Sequence, residues 1–273
     1  PGVYYDQSVT WTFTMDAHTI TFMPLKNDKV RPVFEACKKS DPNDCKNSWF
    51  KLNAQSGKPS NIHFEYIRVE HYLEAISFNG NRDDFSKSNS HNRVYGCYFF
   101  EIGNKHHPSS NNAYAVVRLK NSDDNLIRNN HFVKCENSNG GGLLHALYLA
   151  HNADHNQILK NRFYVQSGDA VRLRDFSNDN DIKENTFIKV GTNAGYTDWY
   201  CVGANCTKPS SECPSWDNEF RDNVLDGTYG CKELKTWEVF QPDTMAGCSK
   251  PTSTSKRLST SGNTKSSKPC DML

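Results

Sequence analysis

Along the middle of the chain, single apolar residues recur between polar ones at a fixed offset from asparagine. The segments Asn92–Phe99, Asn125–Phe132, Asn156–Phe163, Asn180–Phe187 and Asn218–Leu225 align without gaps on N-x-[VIF]-x-x-[NC]-x-[FL]. Their starts lie 33, 31, 24 and 38 residues apart, so the unit is about two dozen residues with insertions of variable length. An isolated apolar residue such as Val94 or Ile127 is a period-two strand position. The mostly polar pair before Asn130, Asn161, Asn185 and Asn223 predicts a bend. Ile62, Phe64, Ile67 and Val69 continue the same apolar columns one unit earlier. A second strand precedes each Asn segment, at Ala75–Asn79, Val116–Lys120, Ala146–Ala150 and Ala170–Arg174. Its inward residues are Ile76/Phe78, Val117/Leu119, Leu147/Leu149 and Val171/Leu173. Stacked one unit per turn, equivalent asparagines lie roughly 4.8 Å apart and bond to one another and to turn backbone. Phe99, Phe132, Phe163 and Phe187 then fill the interior. No helical period is sustained, and the L-x-x-L-x-L signature of leucine-rich repeats is absent.

On these residues the chain resembles the right-handed parallel β-helix superfamily, the pectate-lyase-like fold, over about residues 18 to 228. Thr19–Met23 and Arg31–Phe34 look like an early coil. The resemblance implies an all-β, single-stranded solenoid with disulfide-stapled loops, and it says little about activity, since this fold hosts lyases, hydrolases, epimerases and phage spikes. Residues 1–232 are expected to form the β-helix. Pro1-Gly-Val-Tyr4 resembles the P-G-x-Y stretch that closes the first strand of many such helices, so an upstream strand or cap is expected to have been removed. Residues 233–248, with Trp237, are expected to cap the open end of the stack. Residues 249–273, rich in Ser, Thr and Lys, read as a poorly ordered tail pinned through Cys270. The segment 190–217 reads as a long loop, either a stapled wall beside a groove or a covered insertion.

Composition adds the compartment. The chain has 273 residues, 29 of them Asn and ten Cys. An even number of cysteines in polar, loop-like sequence reads as disulfides in a secreted, extracellular protein. The rival reading is zinc at Cys201, Cys206, Cys213 and Cys231, but their spacings contain no CxxC pair. Asn205-Cys206-Thr207 is a glycosylation sequon, as expected of a glycoprotein. No apolar run is long enough for a membrane span and no signal-peptide pattern opens the chain, so a soluble protein without a membrane partner is expected. With 32 basic and 31 acidic residues there is no global field for nucleic acid, so an anionic partner needs a local basic patch.

Stacking predicts such a patch on the second strand. One outward column reads Ser77, Arg118, Tyr148, Arg172, and the next reads Asn79, Lys120, Ala150, Arg174. Four cations and a phenol share a small area, which is unfavourable unless an anion or carboxylates compensate. The bland alternative is a solvated face, with Asp123, Asp124, Asp169 and Asp175 close enough to pair. Polysaccharide lyases of the resembled superfamily remove the proton α to a uronate carboxylate with a basic or phenolic group, while Arg, Lys or Ca2+ neutralises that carboxylate. The matching roles are Lys120 or Tyr148 as base or acid, with Arg172, Arg118 and Arg174 as clamps and Asn79 as a further substrate contact. His145 is a catalytic candidate and equally a structural histidine, since it has core parity with Leu147 and Leu149. His151 and His155, beside Asp154, read as turn residues before metal ligands, and His106-His107 is a weaker metal candidate. Gly140-Gly-Gly142 supplies a bend where a chain could approach.

The chain lacks the N-T-D, D-D, G-H-G and R-I-K set of polygalacturonases, the W-x-D-H and R-x-P-x-x-R patterns of the best-known pectate lyases, and the D-P-H-[DE] pattern of alginate epimerases. A Lys and an Arg on neighbouring coils are similar to alginate and dermatan lyases, without their calcium-binding Asn and Glu set. The expected activity is β-elimination on an acidic polysaccharide by a monomeric chain. No cofactor is dictated, and Ca2+ is the candidate. The alternatives are a glycoside hydrolase on the same fold, with Asp169 and Asp175 as its carboxylates, and a non-catalytic glycan-binding or structural protein.

Overall fold

The computed structural model describes residues 2–26, 28, 30–138, 142–203, 206, 212–241 and 247–272. Among these the structure is all-β, without a helix, and no helix is long and apolar enough to cross a membrane. Three long parallel sheets carry the chain. Sheet I has eight strands and includes Glu74–Asn79, Ala115–Lys120, His145–Ala150, Val171–Arg174, Ala194–Asp198 and Lys235–Val239. Sheet II, also of eight, includes Arg93–Tyr95, Leu126–Arg128, Gln157–Leu159, Asp181–Lys183, Asn218–Arg221 and Leu258–Ser261. Sheet III has nine strands, among them Tyr98–Phe100, His131–Cys135, Arg162–Gln166, Thr186–Val190, Val224–Asp226 and Thr264–Lys265. The chain visits I, II and III in the same rotation throughout, so each strand pairs with its counterpart from the next circuit.

The asparagines hold the circuits together. Asn92, Asn125, Asn156, Asn180 and Asn218 form one side-chain ladder, each amide donating to the next Oδ1 at 2.8–3.0 Å. Asn130, Asn161, Asn185, Asn223 and Asn263 form a second at 3.0–3.1 Å, and the Cys97 amide donates into its first rung at 2.8 Å. Just before the second ladder, Asn129, Lys160, Glu184 and Asp222 adopt φ of 55–58°, the left-handed turn that swings the chain from sheet II to sheet III. Gly96 fills that place one circuit earlier, where a Cβ would sit 2.7 Å from the Tyr66 ring. Phe99, Phe132, Phe163 and Phe187 are fully buried and stacked, with centroids 4.8–5.1 Å apart.

The two ends differ from expectation. Residues 247–272 are not an unstructured tail: Leu258–Ser261 and Thr264–Lys265 continue sheets II and III in register, and Asn263 extends the ladder. Thr260 and Lys265 occupy places that are apolar in other units, so the hydrophobic pattern fades while the asparagine persists. Lys235–Val239 is the last strand of sheet I, paired with Ala194–Asp198, and its Trp237 remains 46% exposed rather than folded over the core. Eight cysteines pair as Cys37–Cys45, Cys201–Cys206, Cys213–Cys248 and Cys231–Cys270, which removes the zinc reading. Cys97 and Cys135 are free and buried.

Candidate functional site

The register brings the expected columns together. Ser77, Arg118, Tyr148, Arg172 and Thr197 are successive partners across sheet I, as are Asn79, Lys120, Ala150 and Arg174. Alternation sends Val117, Leu119, Leu147, Leu149, Val171 and Leu173 into the core, which leaves these residues on the outer face. Tyr148, His145, Arg172 and Arg174, with Tyr114, Leu143 and Trp199, line a cavity of about 240 Å³.

The arginines are compensated, each by a carboxylate. Arg118 is paired with Glu74. Arg172 donates through Nε to Thr197 Oγ1 at 2.7 Å and through Nη2 to Asp169 Oδ2 at 3.1 Å, while its Nη1 makes no hydrogen bond among the described residues. Arg174 grips Glu212 with Nε at 2.5 Å and Nη2 at 2.7 Å, donates from Nη1 to the Tyr148 hydroxyl at 3.1 Å, and lies 4.4 Å over the Trp199 ring. Burial alone would raise the Glu212 pKa, but the hydrogen bond from Arg174 and the Cys201 amide outweigh it and the net shift is downward. Of the acids named from sequence, only Asp169 pairs with one of these cations; Asp175 turns to His151. Glu74 and Glu212, 44 and 38 residues from their arginines, carried no local signal.

Lys120 is the exception. It is half-buried and makes no hydrogen bond or ion pair among the described residues, and burial, then Arg118 and Arg82, lowers its pKa. Asn79, beside Lys120 in the outer column, is not part of the cavity lining and donates to Asn53 Oδ1 at 3.0 Å.

His145 has the strand parity of Leu147 and Leu149, yet its ring lines the cavity, with its centroid 5.7 Å from that of Tyr148. Burial, then Arg172, holds its pKa down to about 3, so the ring is neutral. Its Nδ1 is 2.7 Å from the Asp169 carbonyl oxygen, which can only accept, so Nδ1 carries the hydrogen and Nε2 remains an acceptor.

Segment 190–217 is not simply a loop: Ala194–Asp198 is a strand of sheet I, Trp199 is a cavity wall, and Glu212 anchors Arg174. Gly140, Gly141, Asn205 and Thr207 lie outside the described residues.

Among the described residues one group, His151, Asp175 and Glu212, brings three ligand atoms within 4.8 Å. Both Glu212 oxygens accept from Arg174, Arg82 is 3.0 Å away, and His151 Nδ1 contacts Asp175 at 2.8 Å. An arginine-saturated carboxylate and an imidazole do not fit Ca2+, which takes six to eight oxygen ligands. His155 approaches Asp179 instead, and His106 contacts Glu136 at 3.0 Å while His107 accepts from the Ser109 amide.

No protein-family model matches the sequence, and no curated protein is significantly similar to it. Among solved structures, the chain is similar to an alginate lyase from Paenibacillus sp. str. FPU-7, with 12% identity over 98% of this chain and 88% of that one and a TM-score of 0.52. It also matches the catalytic domain of a GH87 α-1,3-glucanase in complex with nigerose, at 11% identity over 88% of this chain and 51% of that one, with a TM-score of 0.43. At such identities the first likeness is one of fold, and the second is too loose to add to it.

Proposed function

We propose that the protein is a secreted enzyme of the right-handed parallel β-helix fold that cleaves a uronate-containing polysaccharide by β-elimination. The observation that carries this reading is the cavity on sheet I, where Tyr148 and a neutral His145 meet Arg172 and Arg174 between the aromatic walls Tyr114 and Trp199. Four disulfides suit an extracellular protein, and an alginate lyase is built on a similar fold.

Tyr148, as phenolate, takes the proton from the carbon α to the uronate carboxylate. Arg174 holds the phenol oxygen with an N–H at 3.1 Å, and His145, kept neutral by burial and Arg172, packs beside the ring. The uncommitted Nη1 of Arg172 neutralises the carboxylate and lowers the cost of the enolate. The carbanion pair forms the new double bond as the bond to the glycosidic oxygen breaks, and Lys120 gives that oxygen a proton; solvent restores both groups. Arg174, fully engaged by Glu212 and Tyr148, is a positioning residue here, and Arg118 contributes field from its pair with Glu74.

The hydrolase reading has less to work with. The Asp169 carboxylate accepts from the Thr192 and Asn193 amides and from Arg172, and Asp175 is held by His151 and the Cys213 amide. Alginate, polygalacturonate and hyaluronate should be incubated with the protein and ultraviolet absorbance followed. At least one is expected to yield unsaturated, absorbing products, and Tyr148→Phe is expected to lower kcat by about 10²–10³-fold with KM little changed. Reducing ends without absorbance would establish hydrolysis, and binding without turnover a glycan-binding protein.

A further inference from the structure

The bend between sheets II and III gathers a second set of cations on a face separate from the cavity. Arg128 ends a sheet II strand, and Arg162 opens the sheet III strand of the following circuit, paired with His131. Arg31 reaches the same bend, donating to the Gly96 carbonyl. In contrast with the arginines of sheet I, none of Arg31, Arg128 and Arg162 has an acidic partner among the described residues, and Arg128 Nε is a buried donor without an acceptor. The nearby acids are taken: Glu65 by Arg93, Glu70 by Arg68 and Glu184 by Lys160. Arg31 and Arg162 act together on His131, whose pKa is lowered first by burial and then by these two charges.

Aromatic rings are interleaved with this charge. Arg31 lies 6.0 Å over the ring of Tyr66, itself 42% exposed, and Arg162 lies 5.9 Å over Tyr164. Tyr98 stacks on His131 at 5.9 Å. Uncompensated guanidiniums bind carboxylates with two N–H donors, and flat rings beside them offer apolar faces to the C–H side of a sugar. Arg128 and Arg162 stand on successive coils, a step of roughly 4.8 Å that is close to the advance of one ring in a polymer with a carboxylate on every sugar, and Arg31, whose strand lies three coils before that of Arg128, reaches along the bend to Gly96, one coil before Arg128.

We propose that this bend is a docking surface for an acidic polysaccharide, a binding site separate from the cavity that holds long chains of the polymer cleaved on sheet I. The identity of the ligand rests on the lyase reading above; the anionic character of the site rests on the unpaired arginines alone. Short fragments that fill only the cavity do not need it.

The test uses the whole chain and the triple variant Arg31→Ala/Arg128→Ala/Arg162→Ala, with alginate, polygalacturonate and hyaluronate in gel-retardation and neutral dextran as control. At low salt, the wild type is expected to be retarded by at least one polyanion and not by dextran, with the triple variant about tenfold weaker. Single Arg→Lys variants keep the charge and are expected to fall between, which guards against a folding defect, as does an unchanged rate on unsaturated-product-forming oligomers. Retardation that is equal in wild type and triple variant, or absent from the wild type with all three polymers, overturns the proposal. Bend-dependent retardation without any cleavage leaves the docking surface standing and removes the lyase reading; cleavage without bend-dependent retardation does the reverse.

Discussion

Asn161 sits in the middle of the second ladder and is 2% exposed. Its Oδ1 accepts from the Asn130 backbone amide and side chain, both at 3.0 Å, and its Nδ2 donates to the Ile127 carbonyl at 2.9 Å and to Asn185 Oδ1 at 3.1 Å. Asn161→Ala removes all four. Asn185 Oδ1 keeps its bond from the Asn161 backbone amide at 2.8 Å and Asn130 Nδ2 keeps its bond to the Val94 carbonyl at 2.9 Å, so two buried groups, the Asn130 backbone amide and the Ile127 carbonyl, are left to bear the loss. At about 1–3 kcal/mol for each buried group left unpaired, the loss is about 2–6 kcal/mol. Asn263 makes the equivalent bonds to Asn223 and the Phe220 carbonyl but is only half-buried at the last circuit, where water can replace it. Asn263→Ala is therefore expected to cost about 1 kcal/mol. Urea unfolding followed by tryptophan fluorescence and far-ultraviolet circular dichroism measures both. Equal losses for the two variants, or less than about 1 kcal/mol for Asn161→Ala, would refute the claim that the ladder's worth depends on its burial.

His71 is held up to about 9, chiefly by its hydrogen bond to Glu35, against desolvation and with Glu101 adding to it. Because this lies above the ordinary 6.5, its contribution is complete below pH 6.5 and is lost as pH rises towards 9; His71→Gln is expected to flatten that part of a stability-against-pH curve. Asp154 is the opposite case: burial lifts its pKa from 3.8 to about 7, so stability falls as pH climbs between those values. Asp154→Asn keeps the acceptor for the Asn178 amide and imitates Asn178 itself, which accepts from Trp216 one circuit on. It is expected to stabilise the protein by about 1–3 kcal/mol at pH 8 and to change little at pH 3.5, read from thermal midpoints.

The repeat was legible because an asparagine amide satisfies turn backbone in each of the five aligned units, and no other side chain has the same donor and acceptor at that reach. The strand register of sheet I followed from period-two alternation, which is why Arg118, Tyr148 and Arg172 fall in one column as read from the sequence. Of the ionic partners Asp169 was legible, one strand entrance from Arg172, and the two glutamates were not. Glu74 and Glu212 meet their arginines through the fold, and Glu212 stands in an insertion with no repeat position to align it. The sequence leaves His145 open between a structural and a catalytic place, because parity describes a regular strand and this residue stands at a strand entrance. The final circuit was missed because composition announced disorder where Asn263 and the Cys231–Cys270 link hold polar sequence in register.

The rotation through three sheets gives every residue an address made of a column and a floor. Tyr148 stands one floor from Arg118, 30 residues earlier, and one floor from Arg172, 24 residues later, so unequal lengths of chain are spent on equal steps through space. An insertion at a bend lengthens one floor and leaves every other address untouched. Removing a whole floor does the opposite: excising the circuit that carries Tyr148 would set Arg118 directly against Arg172, keeping the architecture while deleting the phenol and placing two cations face to face.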